Sequence, residues 1–258
     1  MEEAAYAAEA AIEASHWWYV GRRRLFAREI GRLGLGPNAP ILDIGTSTGT
    51  NLRMLRDMQF RNVDGLDFSE EAIRFCTMKG LGRVEQGDIC AMPWPDSSFD
   101  LVLATDIVEH VENDRQALAE IVRVLTPGGH VLITVPTFQS LWGHKDEFAH
   151  HKRRYRLQSL LDLARGPGLV IERSYYFNYI LFVPIWLVRQ ILLLTNPANK
   201  AENQMNTPLL NRALGAVFHV DVATAGLLHP PFGVSALVLA RKPDHKERSS
   251  PAADKRAA

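Results

Sequence analysis

The sequence is poor in cysteine, has no excess of either charge, and lacks an uninterrupted apolar run of bilayer length. Cys76 and Cys90 are the only thiols in 258 residues. They stand far apart without metal-ligand pair spacing, which excludes a disulfide scaffold and predicts two reduced, buried thiols. Lys and Arg number 29, as do Asp and Glu, for a formal net charge of +0. Gripping duplex nucleic acid means neutralising several phosphates at once, so no nucleic-acid partner is expected. The first residues, MEEAAYAAEAAIEASHWW, are acidic and lack the basic-then-apolar order of a secretory leader, which predicts a cytoplasmic protein. With 47% hydrophobic residues the chain can build a substantial core, and its length fits one elaborated domain.

Apolar residues concentrate between 174 and 199, in SYYFNYILFVPIWLVRQILLLTNPAN, where Arg189 is the single charge. A membrane span needs ~20 continuous apolar residues, and Asn178, Pro184 and Arg189 divide this run. A charge at mid-bilayer costs roughly 2.5–3.5 kcal/mol, against about 0.3–0.6 kcal/mol gained per good apolar residue. The stretch is therefore expected to form a helical lid, with peripheral contact at the inner face of a membrane as the alternative.

Five short runs rich in Val, Ile and Leu, at 39–45, 62–68, 82–89, 99–106 and 130–136, read as buried parallel strands. Helical patterns lie between them. SEEAIRFCTMKG opens on Ser69 as an N-cap, carries Glu70 and Glu71 where the helix dipole favours them, and closes on Gly80. Leu118, Ile121, Val122 and Leu125 share one helix face ahead of Pro127-Gly128-Gly129. The alternation predicts an α/β fold, a Rossmann-like doubly wound parallel sheet with its ligand at the carboxyl ends of the strands. Residues 1–38 read as an N-terminal helical cap, 39–243 as the main domain with a helical apolar insert about 177–230, and 244–258 as a disordered tail.

The first strand runs into Asp43-Ile44-Gly45-Thr46-Ser47-Thr48-Gly49-Thr50-Asn51. A glycine-bearing turn of this kind lets a ligand approach the backbone and offers it helix N–H groups. The G-x-G-x-x-G dinucleotide fingerprint is absent, because Ser47 and Thr50 stand at two of the places a glycine would hold. Asp67 ends the second strand, Asp88 the third and Asp106 the fourth, so four acids share one rim of the sheet. A carboxylate at the second strand's end can accept both hydroxyls of a ribose.

Together ILDIGTSTGTNL, GLDFSEEAI, GDICAMPWPDSSFDLVLATDIVEHV, EIVRVLTPGGHVLITVP and the final PFGVSALVLARKP resemble a class I S-adenosylmethionine-dependent methyltransferase. The resemblance implies a seven-stranded sheet, with S-adenosyl-L-methionine as cofactor. It places Asp43, Gly45, Thr46 and Gly49 around the methionine part, Asp67 and Phe68 at the ribose, and Asp88 and Ile89 at the adenine, with Thr105 beside them. Thr46-Ser47 departs from the Cys-Gly usual in that family and puts a side chain where backbone is normally bare.

A sulfonium methyl is already electrophilic, so catalysis is mainly positioning of the acceptor, and an oxygen acceptor also needs a base. Asp106 and His110, at i and i+4, are expected to face that acceptor with Glu109 beside them. DIVEHV is similar to the corresponding segment of quinone-type O-methyltransferases, some of which recruit a divalent metal there. The segment HKDEFAHHKRRY (144–155) adds His144 and His150 as candidate bases and Arg153, Arg154 and Tyr155 as candidate acceptor contacts. No metal centre is expected there, since no cysteine joins the irregularly spaced histidines. Trp17 and Tyr19, in HWWYVGRRR, complete the candidate acceptor residues. The Asn/Asp-Pro-Pro-Tyr/Phe element of base-amine methylases is absent. The family branch that HWWYVGRRR and HHKRRYR resemble implies a small-molecule or lipid-linked acceptor, methylated at oxygen. A catalytically silent S-adenosylmethionine-binding module, docked through its apolar insert, is the alternative.

Overall fold

The computed structural model describes residues 3–195 and 207–244. The expected tail beyond 244 and part of the insert, 196–206, lie outside the described residues. The strands are β1 (Ile41–Ile44), β2 (Val63–Asp67), β3 (Arg83–Gln86), β4 (Phe99–Thr105), β5 (Leu125–Pro136), β6 (Val170–Phe177) and β7 (Ser235–Arg241). The α-helices are α1 (Glu3–Ile12), α2 (Trp17–Gly31), α3 (Thr50–Asp57), α4 (Glu70–Met78), α5 (Asp114–Val124), α6 (His144–Phe148), α7 (Leu157–Arg165), α8 (Phe182–Thr195) and α9 (Pro208–Leu228).

The seven strands form one sheet in the order β3-β2-β1-β4-β5-β7-β6. Pairs among β1 to β5 are parallel, as the sequence predicts, whereas β7 runs antiparallel to both β5 and β6. That reversal positions the insert. β6 ends and β7 begins on the rim where β5 ends, with Pro136 opposite Ser235 and Phe177 opposite Ser235. The chain therefore leaves the sheet towards α8, and returns to it from α9, at the carboxyl rim of the parallel strands.

Alternate strand residues feed two cores, as the pleat requires. Leu42, Ile44, Val102, Ala104, Val131 and Ile133 pack with α5 and α7 on one face. Ile41, Leu101, Leu103, Leu132, Leu237 and Leu239 pack with α2, α3 and α9 on the other. The buried stripe of α5 is Ala117, Leu118, Ile121 and Val124. It differs from the sequence reading because the helix ends one residue early and Leu125 opens β5. The Thr126-Pro127-Gly128-Gly129 stretch then lies within the strand, where the β4–β5 register shifts. Cys76 is buried as expected, but Cys90 is only half-buried.

Candidate active site

The turn after β1 is built on positive backbone angles. Gly45 (φ +73) and Gly49 (φ +85) adopt left-handed conformations, and a Cβ on Gly49 would stand 2.4 Å from Leu81 Cδ1. Only glycine tolerates both demands. Ser47 is also left-handed, at φ 48. Its N–H donates to Asp67 Oδ2 at 2.9 Å and its hydroxyl donates to Glu9 Oε2 at 3.1 Å. Asp67 Oδ1 accepts the Ser69 N–H at 2.9 Å, so the acid at the end of β2 ties the glycine turn to the start of α4. Ser69 sits at the N-cap position as expected, but its side chain makes no capping bond.

Asp43, buried within β1, accepts Asn51 Nδ2–H at 3.0 Å through Oδ1, while its Oδ2 is buried without a partner. Asn51 donates also to Thr105 Oγ1 at 2.9 Å, linking β1, α3 and β4. Burial raises the Asp43 carboxyl to about 7, opposed in part by the Asn51 hydrogen bond. A buried acceptor of this kind is suited to a cationic ligand. Thr46 is buried against Gly65. Phe68 stands 79% exposed beyond β2, a ring face open on the same rim. Asp88 is held in a local turn, accepting the Cys90 N–H at 2.8 Å, and the Ile89 side chain is buried in the core, leaving its backbone at the β3 end.

Helix α1 straps this turn. Tyr6 is buried against Phe75 of α4, and Glu13 accepts from Lys79 Nζ at 2.9 Å and from the Thr48 hydroxyl. Helix α2 begins at the N-cap His16, whose ring accepts the Trp18 N–H. Trp17 and Trp18 pack on Phe218 of α9, and both line the cleft with Tyr19. Arg22 crosses from α2 to the sheet. Its guanidinium pairs with Asp106 Oδ2 at 2.9 Å and lies over the rings of Trp18 and Phe26.

Asp106 follows β4 at φ 52, with Oδ1 accepting from Thr134 Oγ1 at 3.0 Å. A short 3-10 turn, Val108–His110, then places Glu109 and His110 under the cleft. Glu109 is fully buried, and neither carboxylate oxygen has a partner. Burial, then the neighbouring Asp106 charge, raises its carboxyl well above the usual range. Burial, then His151, lowers the His110 imidazole to about 4. The two rings meet edge to face at 4.6 Å.

His151 is oriented by Asp146, whose Oδ1 lies 2.8 Å from Nδ1. Asp146 also accepts a two-pronged pair from Arg154, at 2.8 and 2.9 Å, and the Gly143 N–H at 2.9 Å. Burial by itself would raise this carboxyl, but the bonds from His151 and Arg154 outweigh it and hold it well below the usual range. Arg189 of α8 lies 3.7 Å from Asp146 Oδ2 and donates to the Leu141 carbonyl. The charge that interrupts the apolar run is thus turned inward.

A cleft of about 580 Å³ joins these parts along the carboxyl rim. Of the residues singled out in the sequence, Gly45, Thr46, Thr105, Asp106, His110, Trp17, Tyr19 and Arg154 line it. His144 and His150 do not, and neither do Asp43, Gly49, Asp67, Phe68, Asp88 and Ile89. His144 is exposed and lies 3.7 Å from Glu147, and His150 is exposed at the left-handed exit of α6. Arg153 turns away to Asp114 at 3.0 Å, and Tyr155 is buried with its hydroxyl donating to the same Asp114 at 2.8 Å. His151, the third histidine of that cluster, lines the cleft, as do Asp146 and, from the basic run near the start, Arg22. In a five-residue helix and a loop there is no period to choose among adjacent histidines. The one available signal was Asp146 five residues ahead of His151 in a basic stretch.

Residues 42–133 match the family model described as a methyltransferase domain. The chain is similar to a Mycolicibacterium smegmatis protein described as "Probable S-adenosylmethionine-dependent methyltransferase", 28% identical over 136 residues, 51% of this chain and 52% of that protein. It is also similar to a sterol 24-C-methyltransferase of Gibberella zeae, 33% identical over 144 residues, 53% of this chain and 36% of that one. The matched stretch thus spans about half of the first relative's length and less of the second's. Among solved structures, an Archaeoglobus fulgidus SAM-dependent methyltransferase superposes with TM-score 0.55 at 18% identity, covering 85% of this chain and 94% of that one. A Haemonchus contortus phosphoethanolamine N-methyltransferase 2 in complex with S-adenosyl-L-methionine superposes with TM-score 0.57 at 19% identity, covering 83% and 51%. The sheet order, the glycine turn and the domain match agree: residues 42–133 carry a methyltransferase domain, and the fold is that of the class I methyltransferases.

Proposed function

We propose that this chain transfers a methyl group from S-adenosylmethionine to an oxygen of a small or lipid-linked acceptor. The observation that carries the reading is one continuous cleft. It runs from the glycine turn (Gly45 to Ser47) over Asp106, His110 and His151 to an apolar mouth formed by Leu181, Pro184, Val188, Leu210 and Leu214. The cofactor's sulfonium and ammonium charges match the rim acids, above all the partnerless Asp43 Oδ2. Holding acceptor and methyl donor in line supplies most of the rate, where effective molarities reach ~10⁵–10⁸ M. An acceptor hydroxyl must also lose its proton, and Glu109, His110 and His151 are titratable side chains of the cleft lining that pair with no arginine among the described residues.

The mouth supports an apolar acceptor. Val183, Leu187, Val188 and Ile191 of α8 and Leu209 and Leu210 of α9 are exposed, and Val188 and Leu210 also line the cleft. No helix among the described residues is long and apolar enough to cross a membrane. Such a face is suited to resting on a lipid surface from which an acceptor enters.

Isothermal titration with S-adenosylhomocysteine tests the cofactor half: binding lost on Asp67→Ala is expected, and no binding by the wild-type chain overturns the reading. Mass spectrometry of a lipid and polar extract incubated with isotopically labelled cofactor identifies the acceptor. Flotation with liposomes is expected to fall on Val183→Glu plus Ile191→Glu, and unchanged flotation removes the membrane-facing part alone.

A further inference from the structure

We propose that Glu109, His110 and His151 form a binding site for a divalent transition metal of the zinc class at the floor of the acceptor cleft. The inference deepens the methyltransferase reading, and its consequence for catalysis rests on that reading, but cation binding itself does not. One donor atom from each of the three side chains falls within 4.8 Å of the other two, and no other such group occurs among the described residues.

Three independent features point to a cation. First, both oxygens of Glu109 are fully buried and have no hydrogen-bond partner, although the side chain lines the cleft. A buried carboxylate without partners is among the most costly arrangements in a protein, and a metal ion is one of the few ligands that satisfies both oxygens. Second, both imidazoles are held from behind. His151 Nδ1 is 2.8 Å from Asp146, an acceptor-only group, so Nδ1 carries the proton and Nε2 presents its lone pair. His110 is hydrogen-bonded to the backbone of Ala149, which likewise assigns one ring nitrogen and leaves the other for a ligand. A carboxylate or carbonyl behind each histidine is the usual outer shell of a metal site. Third, the other acids nearby already face cations: Asp106 is paired with Arg22, and Asp146 with Arg154. Of these three acids, Glu109 alone lacks a countercharge within bonding reach.

The donor set selects the metal class. Two imidazoles and one carboxylate suit Zn²⁺, Co²⁺ or Fe²⁺, whereas Mg²⁺ and Ca²⁺ take oxygen ligands almost exclusively. The set is not the Asp106 and His110 pair on which the sequence resemblance centred, because Asp106 is engaged by Arg22 and Thr134 while His151 arrives from the loop after β5. A divalent cation in this place lowers the pKa of a hydroxyl beside it. The chain's own residues hold Glu109, His110 and His151 around the position and keep it open to the cleft.

The test uses the full chain, stripped with chelator and then titrated with Co²⁺ and Zn²⁺. One ion per chain is expected, with visible Co²⁺ absorption bands of a low-coordinate nitrogen and oxygen site. His151→Ala and Glu109→Gln are each expected to weaken binding by about 100-fold or more, while S-adenosylhomocysteine still binds both variants and thereby reports that they are folded. Absence of stoichiometric binding to the wild-type chain, or binding unchanged in both variants, overturns the metal site. Failure of the wild-type chain to bind S-adenosylhomocysteine would instead overturn the methyltransferase reading and leave the metal result standing.

Discussion

Replacing Asp43 with asparagine is expected to remove one component of the pH dependence built into the ligand-free fold. Asp43 is fully buried, its carboxyl is raised from 3.8 to about 7 by desolvation, and Asn51 gives it one compensating hydrogen bond. Between those values the unfolded chain ionises this group while the folded chain keeps it protonated. The folded state therefore holds the extra proton, and stability falls as pH rises through the window and levels off above about 7. At 1.36 kcal/mol per pH unit the whole window is worth on the order of 4 kcal/mol. The asparagine side chain keeps the shape, can still accept from Asn51, and has nothing to ionise. Urea denaturation of the ligand-free chain at pH 5, 6 and 7 should show the wild type losing about 1.4 kcal/mol per unit more than Asp43→Asn does. Equal slopes for the two proteins would refute the argument. Glu109 is raised in the same direction, so both proteins retain a shared decline and only the difference between them belongs to Asp43. A cationic cofactor favours the ionised carboxylate, so wild-type affinity for S-adenosylmethionine should rise with pH through the same window.

Other expectations follow from single contacts. Asp221→Ala removes the acceptor for the Asn178 and Ile180 N–H groups, at 2.6 and 2.8 Å, which set the path from β6 into α8. At ~1–3 kcal/mol per orphaned buried donor the loss is roughly 2–6 kcal/mol, read as a melting temperature lower by about 5–20 °C. Gly49→Ala combines a left-handed backbone with a contact on Leu81 and should cost roughly 2–4 kcal/mol, with weaker S-adenosylhomocysteine binding by calorimetry. Glu13→Ala unfastens α1 from Lys79 and Thr48, and faster amide hydrogen exchange confined to residues 3–12 is the expected signature.

The turn after β1 and the parallel strands around it were legible because their signals are local. Strand runs, a glycine turn and acids at strand ends fall at fixed offsets, and the sheet turned them into one rim as periodicity implies. The side of the cleft lined by α2, α8 and the residues after β5 was less legible because it is assembled from distant segments. Arg22 and Asp106 are 84 positions apart in the chain, yet they meet at 2.9 Å only because α2 packs beside α9 over the rim. His151 differs from His150 by one position, and what separates them is the left-handed backbone at His150, which sends one ring to solvent and the next to Asp146. The antiparallel β7 was also invisible to a pattern of buried runs, since a run buried on both faces looks alike in either direction.

Asp146 is shared property of two parts of the molecule. It orients His151, and it sits between Arg154 of the loop after β5 and Arg189 of the apolar insert. The insert is consequently not an exchangeable attachment. A chimera that grafts another relative's insert onto this core would have to carry an arginine at the register of Arg189, or Asp146, and with it the histidine, would be held by Arg154 and the Gly143 N–H without the third contact. The seating of the insert and the setting of His151 are in that sense written on the same helix, and neither can be redesigned without the other.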